Sequence, residues 1–342
     1  MNRSNQVLFL LAVILAFSLS CNEKEDDPVE PYKVAMLAEG HSFDDMAFLQ
    51  SCKEGMERAR ADYNLKVDYN IDTTIDQYQE RIDHYGDNEY NLIIAIGFMW
   101  VEAVLNASMD FPGSAFILVD AKLPEIHENA TSILFDVDEV AYPIGFLCAY
   151  WADTHGDDNP ALGYVGAMRI PQIRQFTEPF NLGAVRYNQQ YGRNVDTLGV
   201  YTNTFFSTDK GKHLADSLIN LGADVIFGVG SETGNGALLK AKERGVWAAG
   251  VDVDQYYSFP EVSDILLSSA MKRLDNAIYD VTAAFVKDNF PGGDIYNGNL
   301  ANEGVQMAPY HDFENQIPDS IKTEIENIKA GIINGSISTG WD

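Results

Sequence analysis

Two periods of hydrophobic and polar positions trade places along this chain from Lys33 onward. Apolar runs at 33–38, 92–97, 115–120 and 132–136 predict buried strands, and 65–69 alternates as a half-buried one. Helical spacing fills the gaps: from the loop EGHSFDD to about residue 60, then 76–85, 101–108 and 140–152. The segment HGDDNP at 155–160 breaks the pattern and is the expected crossing between two lobes. Strand and helix signals then restart, with strands at 162–165 and 198–201 and helices at 173–191 and 210–221.

The stretch 224–255, DVIFGVGSETGNGALLKAKERGVWAAGVDVDQ, reads as one complete βαβ unit. Its first strand leads through Gly230, Gly234 and Gly236 into a helix, and its second strand, 246–251, ends at Asp252. A further strand at 264–268, a helix at 274–287 and a polar helix at 319–330 complete the chain. Two long runs of alternating β and α predict an α/β fold of two doubly wound parallel-sheet lobes. The expected division is 32–153 with about 268–293 in the first lobe, and 154–267 with about 294–342 in the second. Ligands of such sheets sit at the carboxyl ends of the strands and between lobes.

Composition narrows the partners. The 342 residues carry 23 Lys+Arg against 51 Asp+Glu, a net charge of −28, which excludes a phosphate-backbone partner and so a nucleic-acid role. Residues 1–20 combine Arg3 with an apolar stretch at 7–17 and small residues before Cys21, the pattern of an export signal. It resembles a bacterial lipoprotein signal, in which Cys21 is lipidated and becomes the mature N-terminus, although Ser18 stands where such signals favour Leu. An ordinary cleaved signal is the other reading. Residues 21–31 are charged, contain Pro28 and Pro31 and carry no apolar period, as a tether would. The expected location is the cell envelope, lipid-anchored on its periplasmic or outer face. Cys52 and Cys148 fall among apolar helical neighbours and are expected as buried free thiols, with pairing as the alternative.

Enzymatic chemistry finds little support. The turn GVGSET lacks the third glycine of a dinucleotide fingerprint, having Thr233 there, and Gly228 falls inside the strand. His41, Ser42 and Asp44 are adjacent on one loop and cannot align as nucleophile, base and orienter. Histidines at ligand spacing are missing, so neither a metal nor another cofactor is expected. Binding chemistry remains. Phe43 lies in the first loop and Phe205–Phe206 follows a second-lobe strand, so each can stack on a flat ring or pack beneath its own loop. Asp120 and Asp252 end strands, where they can accept from ring N–H groups and hydroxyls or cap the next turn. Lys272 can donate to a hydroxyl or pair with Asp252.

Several segments together, SFDDMAFLQSCKEGM, LGYVGAMRIPQIRQFTEPFNLG, the βαβ stretch, LLSSAMKRLDNAIYD and GNLANEGVQMAP, resemble the basic membrane protein family. These are the PnrA-like purine-nucleoside-binding lipoproteins of ABC import systems. The resemblance runs from about Lys33 to the end of the chain and implies a type I periplasmic-binding fold with three crossovers and a nucleoside in the cleft. It also implies that Phe43 and either Phe205 or Phe206 stack on the base, that Asp44 and Asp120 meet its edge, and that Asp252 and Lys272 hold the ribose. A backbone contact is implied at Ser231. Asp44 replaces the family's Asn, removing a donor from the base edge, and Glu232 adds charge near the expected ribose. The function so implied is a monomeric, non-enzymatic solute-binding lipoprotein working with an ABC permease. The alternative is a sensory or surface capture lipoprotein for another small solute, without an importer.

Overall fold

In the computed structural model of the protein, which describes residues 30–72 and 77–341, the apolar runs up to residue 120 become strands of one parallel sheet. They are β1 (Lys33–Glu39), β2 (Lys66–Asp72), β3 (Leu92–Ile96) and β4 (Ala115–Val119), joined by β5 (Ala130–Phe135). The expected signal segment, Cys21 and most of the tether lie outside the described residues, as does Asp76 at the expected start of the second helix. Helices α1 (Phe48–Tyr63), α2 (Tyr78–Asp87) and α3 (Val101–Asp110) connect these strands. α1 stops at Asn64, whose left-handed backbone (φ 52°) returns its N–H to the Arg60 carbonyl.

The second sheet is built from β6 (Ala161–Gly166), β7 (Asp196–Tyr201), β8 (Ala223–Val229), β9 (Trp247–Asp252) and β10 (Leu266–Lys272). Its helices are α4 (Asp138–His155), α5 (Pro171–Tyr191), α6 (Thr208–Asn220) and α7 (Ser231–Arg244), with a single turn α8 (Gln255–Ser258) after β9. The chain closes with α9 (Leu274–Val286), β11 (Ile295–Gly298), β12 (Val305–Met307) and α10 (Asp319–Ile333). The sheet orders are β11-β5-β4-β3-β1-β2 and β12-β10-β9-β8-β6-β7, parallel throughout except for the edge strand β12. Strands β3 and β4 are wholly buried apolar runs, as a sheet covered on both faces requires.

Among the described residues the chain passes between the sheets at 136–137, at Arg273 and at 299–304. Several expected placements therefore change. α4 packs on α5 and β10, so it belongs to the second lobe and the first crossing precedes it, rather than lying at HGDDNP. β10 pairs with β9 in the second sheet, although a boundary near 268 assigned most of it to the first lobe. β11 pairs with β5 in the first sheet, although 294–342 was assigned to the second lobe. Strand membership is decided by long-range pairing, which local periodicity does not carry. β11 and β12, at 4 and 3 residues, are also too short to show a period.

α9 returns to pack on α1 beneath the first sheet. The two crossings that flank α9 and β11 thus tie the lobes together, with the carboxyl ends of both sheets facing one cleft. Cys52 and Cys148 are buried free thiols, the first in α1 and the second in α4.

Candidate ligand-binding cleft

Asp252 ends β9 with its backbone in the left-handed region (φ 68°), and Asp120, just past β4, does the same at φ 61°. Ser231, the first residue of α7, has φ 46°. Such backbone costs on the order of 1–3 kcal/mol per non-glycine residue and concentrates at functional sites. All three residues line one cavity between the lobes, open at its mouth.

The walls of this cavity are aromatic. Phe48 and Phe98 come from the first lobe, and Phe176, Phe205 and Phe206 from the second. Phe48 and Phe176 flank the Lys272 ammonium, whose Nζ lies 5.4 and 5.1 Å from their ring centres. Phe98 and Phe205 face each other across the cleft with ring centres 6.5 Å apart. The loop carrying Phe205 is anchored on the start of α7. The Thr233 backbone N–H donates to the Phe205 carbonyl (3.0 Å) and the Thr233 hydroxyl to the Thr204 carbonyl (2.9 Å). Gly230 makes this close approach possible: a Cβ there would sit 2.5 Å from that of Ala167, and its φ of +108° suits glycine alone. The glycine-rich turn of the βαβ unit thus serves packing around a ligand cavity.

Charge in the cavity is acidic. Lys272, 4 % exposed, donates to both Asp120 carboxylate oxygens at 2.8 and 2.9 Å and so joins the second lobe to the first. Its expected partner, Asp252, is 5 % exposed and has no hydrogen-bond partner for its carboxylate among the described residues. Burial is the main reason that the Asp252 carboxyl is pushed up to about 7; Lys272 opposes the rise, while Asp120 and Asp45 add to it. Asp45 lies at the start of α1 and accepts from the Ala47 and Gln50 N–H groups, both at 3.1 Å, and from the Ser231 hydroxyl at 3.3 Å. Burial raises the pKa of Asp45 and also that of Glu39, which enters the cavity from the end of β1.

The cleft is closed by direct contacts between the lobes. Besides Lys272–Asp120 and Ser231–Asp45, the Asn235 amide donates to the Asp45 carbonyl (3.1 Å) and the Ser258 hydroxyl to the Met46 carbonyl (2.8 Å). His41 Nδ1 lies 2.7 Å from Glu232 Oε1 near the mouth. Glu232 does not line the cavity and pairs with His41 instead.

Of the residues expected at the site, Asp120, Phe205, Phe206, Ser231, Asp252 and Lys272 are brought together. Phe43 and Asp44 are not. Phe43 turns into the first lobe's core and meets Tyr69 edge-on at 5.4 Å, while the Asp44 side chain is 73 % exposed and pairs with Lys53 at 2.9 Å. In the cavity lining their places are taken by Phe48, from the first turn of α1, and Asp45, from the loop just before it. Phe98 was within reach of sequence reasoning, since it follows directly on the strand at 92–97. Phe48 and Phe176 were not, because aromatic residues at helical spacing read as core.

A family model for ABC transporter substrate-binding proteins of the PnrA-like kind matches residues 32–340. The chain belongs to this family. Its members are solute-binding proteins of ABC transporters and not enzymes, so the cleft is a site for capturing a small molecule that a permease then receives. An uncharacterized lipoprotein of Pyrococcus furiosus is 30% identical over 86% of this chain and 74% of its own length. The ABC transporter nucleoside-binding protein BmpA of Lactococcus lactis is 26% identical over 90% of this chain and 88% of its own. Among solved structures, an ABC transporter solute-binding protein of Aeropyrum pernix superposes with a TM-score of 0.83, at 25% identity, covering 91% of this chain and 94% of that one. That similarity extends over both sheets, and the two-lobed type I periplasmic-binding fold is the fold of this protein. No helix among the described residues is long and apolar enough to cross a membrane.

Proposed function

We propose that the cleft captures a nucleoside, with a purine as the preferred base, for delivery to an ABC importer. The observation that carries this reading is the Asp252 carboxylate, buried and without a hydrogen-bond partner at the floor of an aromatic cavity. A buried carboxylate is costly unless hydrogen-bonded, and vicinal hydroxyls supply two donors to one carboxylate. The phenylalanines offer faces to a flat ring, each stacking contact adding about 0.5–1.5 kcal/mol beyond burial. Glu39, Asp45, Asp120 and Asp252 against Lys272, the one cation among the described lining residues, repel a phosphate group, so the reading is a nucleoside and not a nucleotide. The Lactococcus lactis relative, named for nucleoside binding, supports the same class.

The protein acts as a monomer held at the cell envelope by lipid on Cys21, with residues 22–31 as the tether. Replacing Cys21 by Ser should release it from the membrane fraction. Retention of the variant in that fraction would remove the lipid anchor from the proposal.

The nucleoside assignment is tested by thermal shift across purine and pyrimidine nucleosides, their monophosphates, ribose and free bases. A saturable rise in Tm with nucleosides and little with monophosphates is expected, because a ligand that binds only the folded state stabilises it by mass action. No shift with any nucleoside, alongside a shift with another solute class, would overturn it.

A further inference from the structure

Most of the cavity's negative charge is left without a cation. Lys272, the one basic residue among the described lining residues, is committed to Asp120 and sits between the inner rings Phe48 and Phe176. That leaves Glu39, Asp45 and Asp252 as lining carboxyls with no cationic partner among the described residues within salt-bridge distance. Two of them, Glu39 and Asp45, line the same cavity as Phe98 and Phe205. Parallel pairing of β1 with β3 sets Ala38 opposite Ile96, which brings Glu39 alongside Gly97 and next to Phe98. Phe98 faces Phe205 across the cleft, and Asp45 approaches from the loop just before α1, held by Ser231 of the opposite lobe.

Aromatic faces together with desolvated carboxylates are the combination that recognises organic cations. Acid clusters on surfaces are usually solvated, but this set is enclosed, and the unpartnered Asp252 carboxylate on its floor, 5 % exposed, marks it as a place for a ligand. Burial raises the carboxyls of Glu39, Asp45 and Asp252, the direction expected of groups that lack a counter-charge until one is bound.

We propose that the cleft selects nucleosides whose base carries a positive charge at neutral pH, as adenosine methylated at N1 or guanosine methylated at N7 does, with the cation against Phe98 and Phe205 and balanced by Glu39 and Asp45. This rests on the nucleoside reading and narrows it to a class of modified base.

The test compares two isomers of equal mass by calorimetric titration of the intact protein. N1-methyladenosine is cationic at neutral pH, whereas N6-methyladenosine is neutral. N1-methyladenosine should bind at least about tenfold more tightly. The affinity ratio should narrow in Glu39→Gln and in Asp45→Asn, where the amide oxygen can still accept from the Ala47 and Gln50 N–H groups. Equal or tighter binding of N6-methyladenosine overturns the inference and leaves the nucleoside reading standing. Binding of neither isomer overturns the inference, and the thermal-shift panel of unmodified nucleosides then decides whether the nucleoside reading stands. An undiminished ratio in both variants overturns the assignment of the charge balance to these carboxylates.

Discussion

Lys272 at the end of β10 and Asp120 just past β4 form a two-oxygen ion pair, at 2.8 and 2.9 Å, between the two lobes. Asp120 has no other cation among the described lining residues, whereas Lys272 has the unpaired Asp252 nearby, which accepts no hydrogen bond from it. The pair thus couples lobe closure to the chemistry of the site.

Replacing Lys272 with Met leaves Asp120 uncompensated between the lobes. Removing one partner of a buried pair costs about 3–5 kcal/mol, toward the lower end here because Asp120 retains 17% exposure. Because the pair spans the cleft, the loss should appear as opening. Small-angle scattering of the ligand-free variant should give a larger radius of gyration than the parent protein; an unchanged radius would show that closure rests on the Asp45 and Met46 contacts.

Binding should weaken as pH falls. With its carboxyl at about 7, Asp252 is partly protonated in the ligand-free protein at neutral pH, and hydroxyl donors favour its ionised form. Binding then displaces a proton below that value, and affinity should drop by up to about tenfold per pH unit between about 7 and 5.5. The same raised carboxyl binds more protons folded than unfolded between its ordinary value of 3.8 and about 7, so its contribution to ligand-free stability declines as pH rises through that window. The ligand-induced rise in Tm should therefore be larger at pH 8 than at pH 6. In Asp252→Asn this difference should vanish.

Phe43 and Phe48 separate packing from binding. Phe43 is 8 % exposed and packed on Tyr69, so Phe43→Ala should cost about 3–5 kcal/mol in urea unfolding. Nucleoside affinity should persist in the folded fraction. Phe48→Ala should instead lower affinity, by roughly tenfold from the loss of one stacking face. The reverse pattern would put the first-loop phenylalanine back at the ligand.

Gly236 lets α6 and α7 touch: a Cβ there would stand 2.2 Å from the Thr208 carbonyl oxygen. Gly236→Val should push the helices apart and tilt the start of α7, which carries Ser231, away from Asp45. A fall in Tm together with weaker ligand binding is expected; loss of stability alone would mean that the start of α7 is held independently by the Thr233 bonds.

Local pattern was enough to read the strands and helices other than β11, β12 and the single turn α8, the two-lobed α/β class and the strand-end carboxylates Asp120 and Asp252. Each of these is written in local periodicity or in position at the end of an apolar run, and neither needs a distant partner to be read. Tertiary structure alone decided which lobe receives β10 and β11, because that choice is made by pairing with β9 and β5. It also decided the site's outer half. A short turn before α1 exchanges Phe43 and Asp44 for Phe48 and Asp45, and direction around a turn is set by what the helix packs against. The partner of Lys272 belongs to the same class of fact, since Asp120 lies 152 residues away and only folding of both sheets brings it within hydrogen-bonding distance.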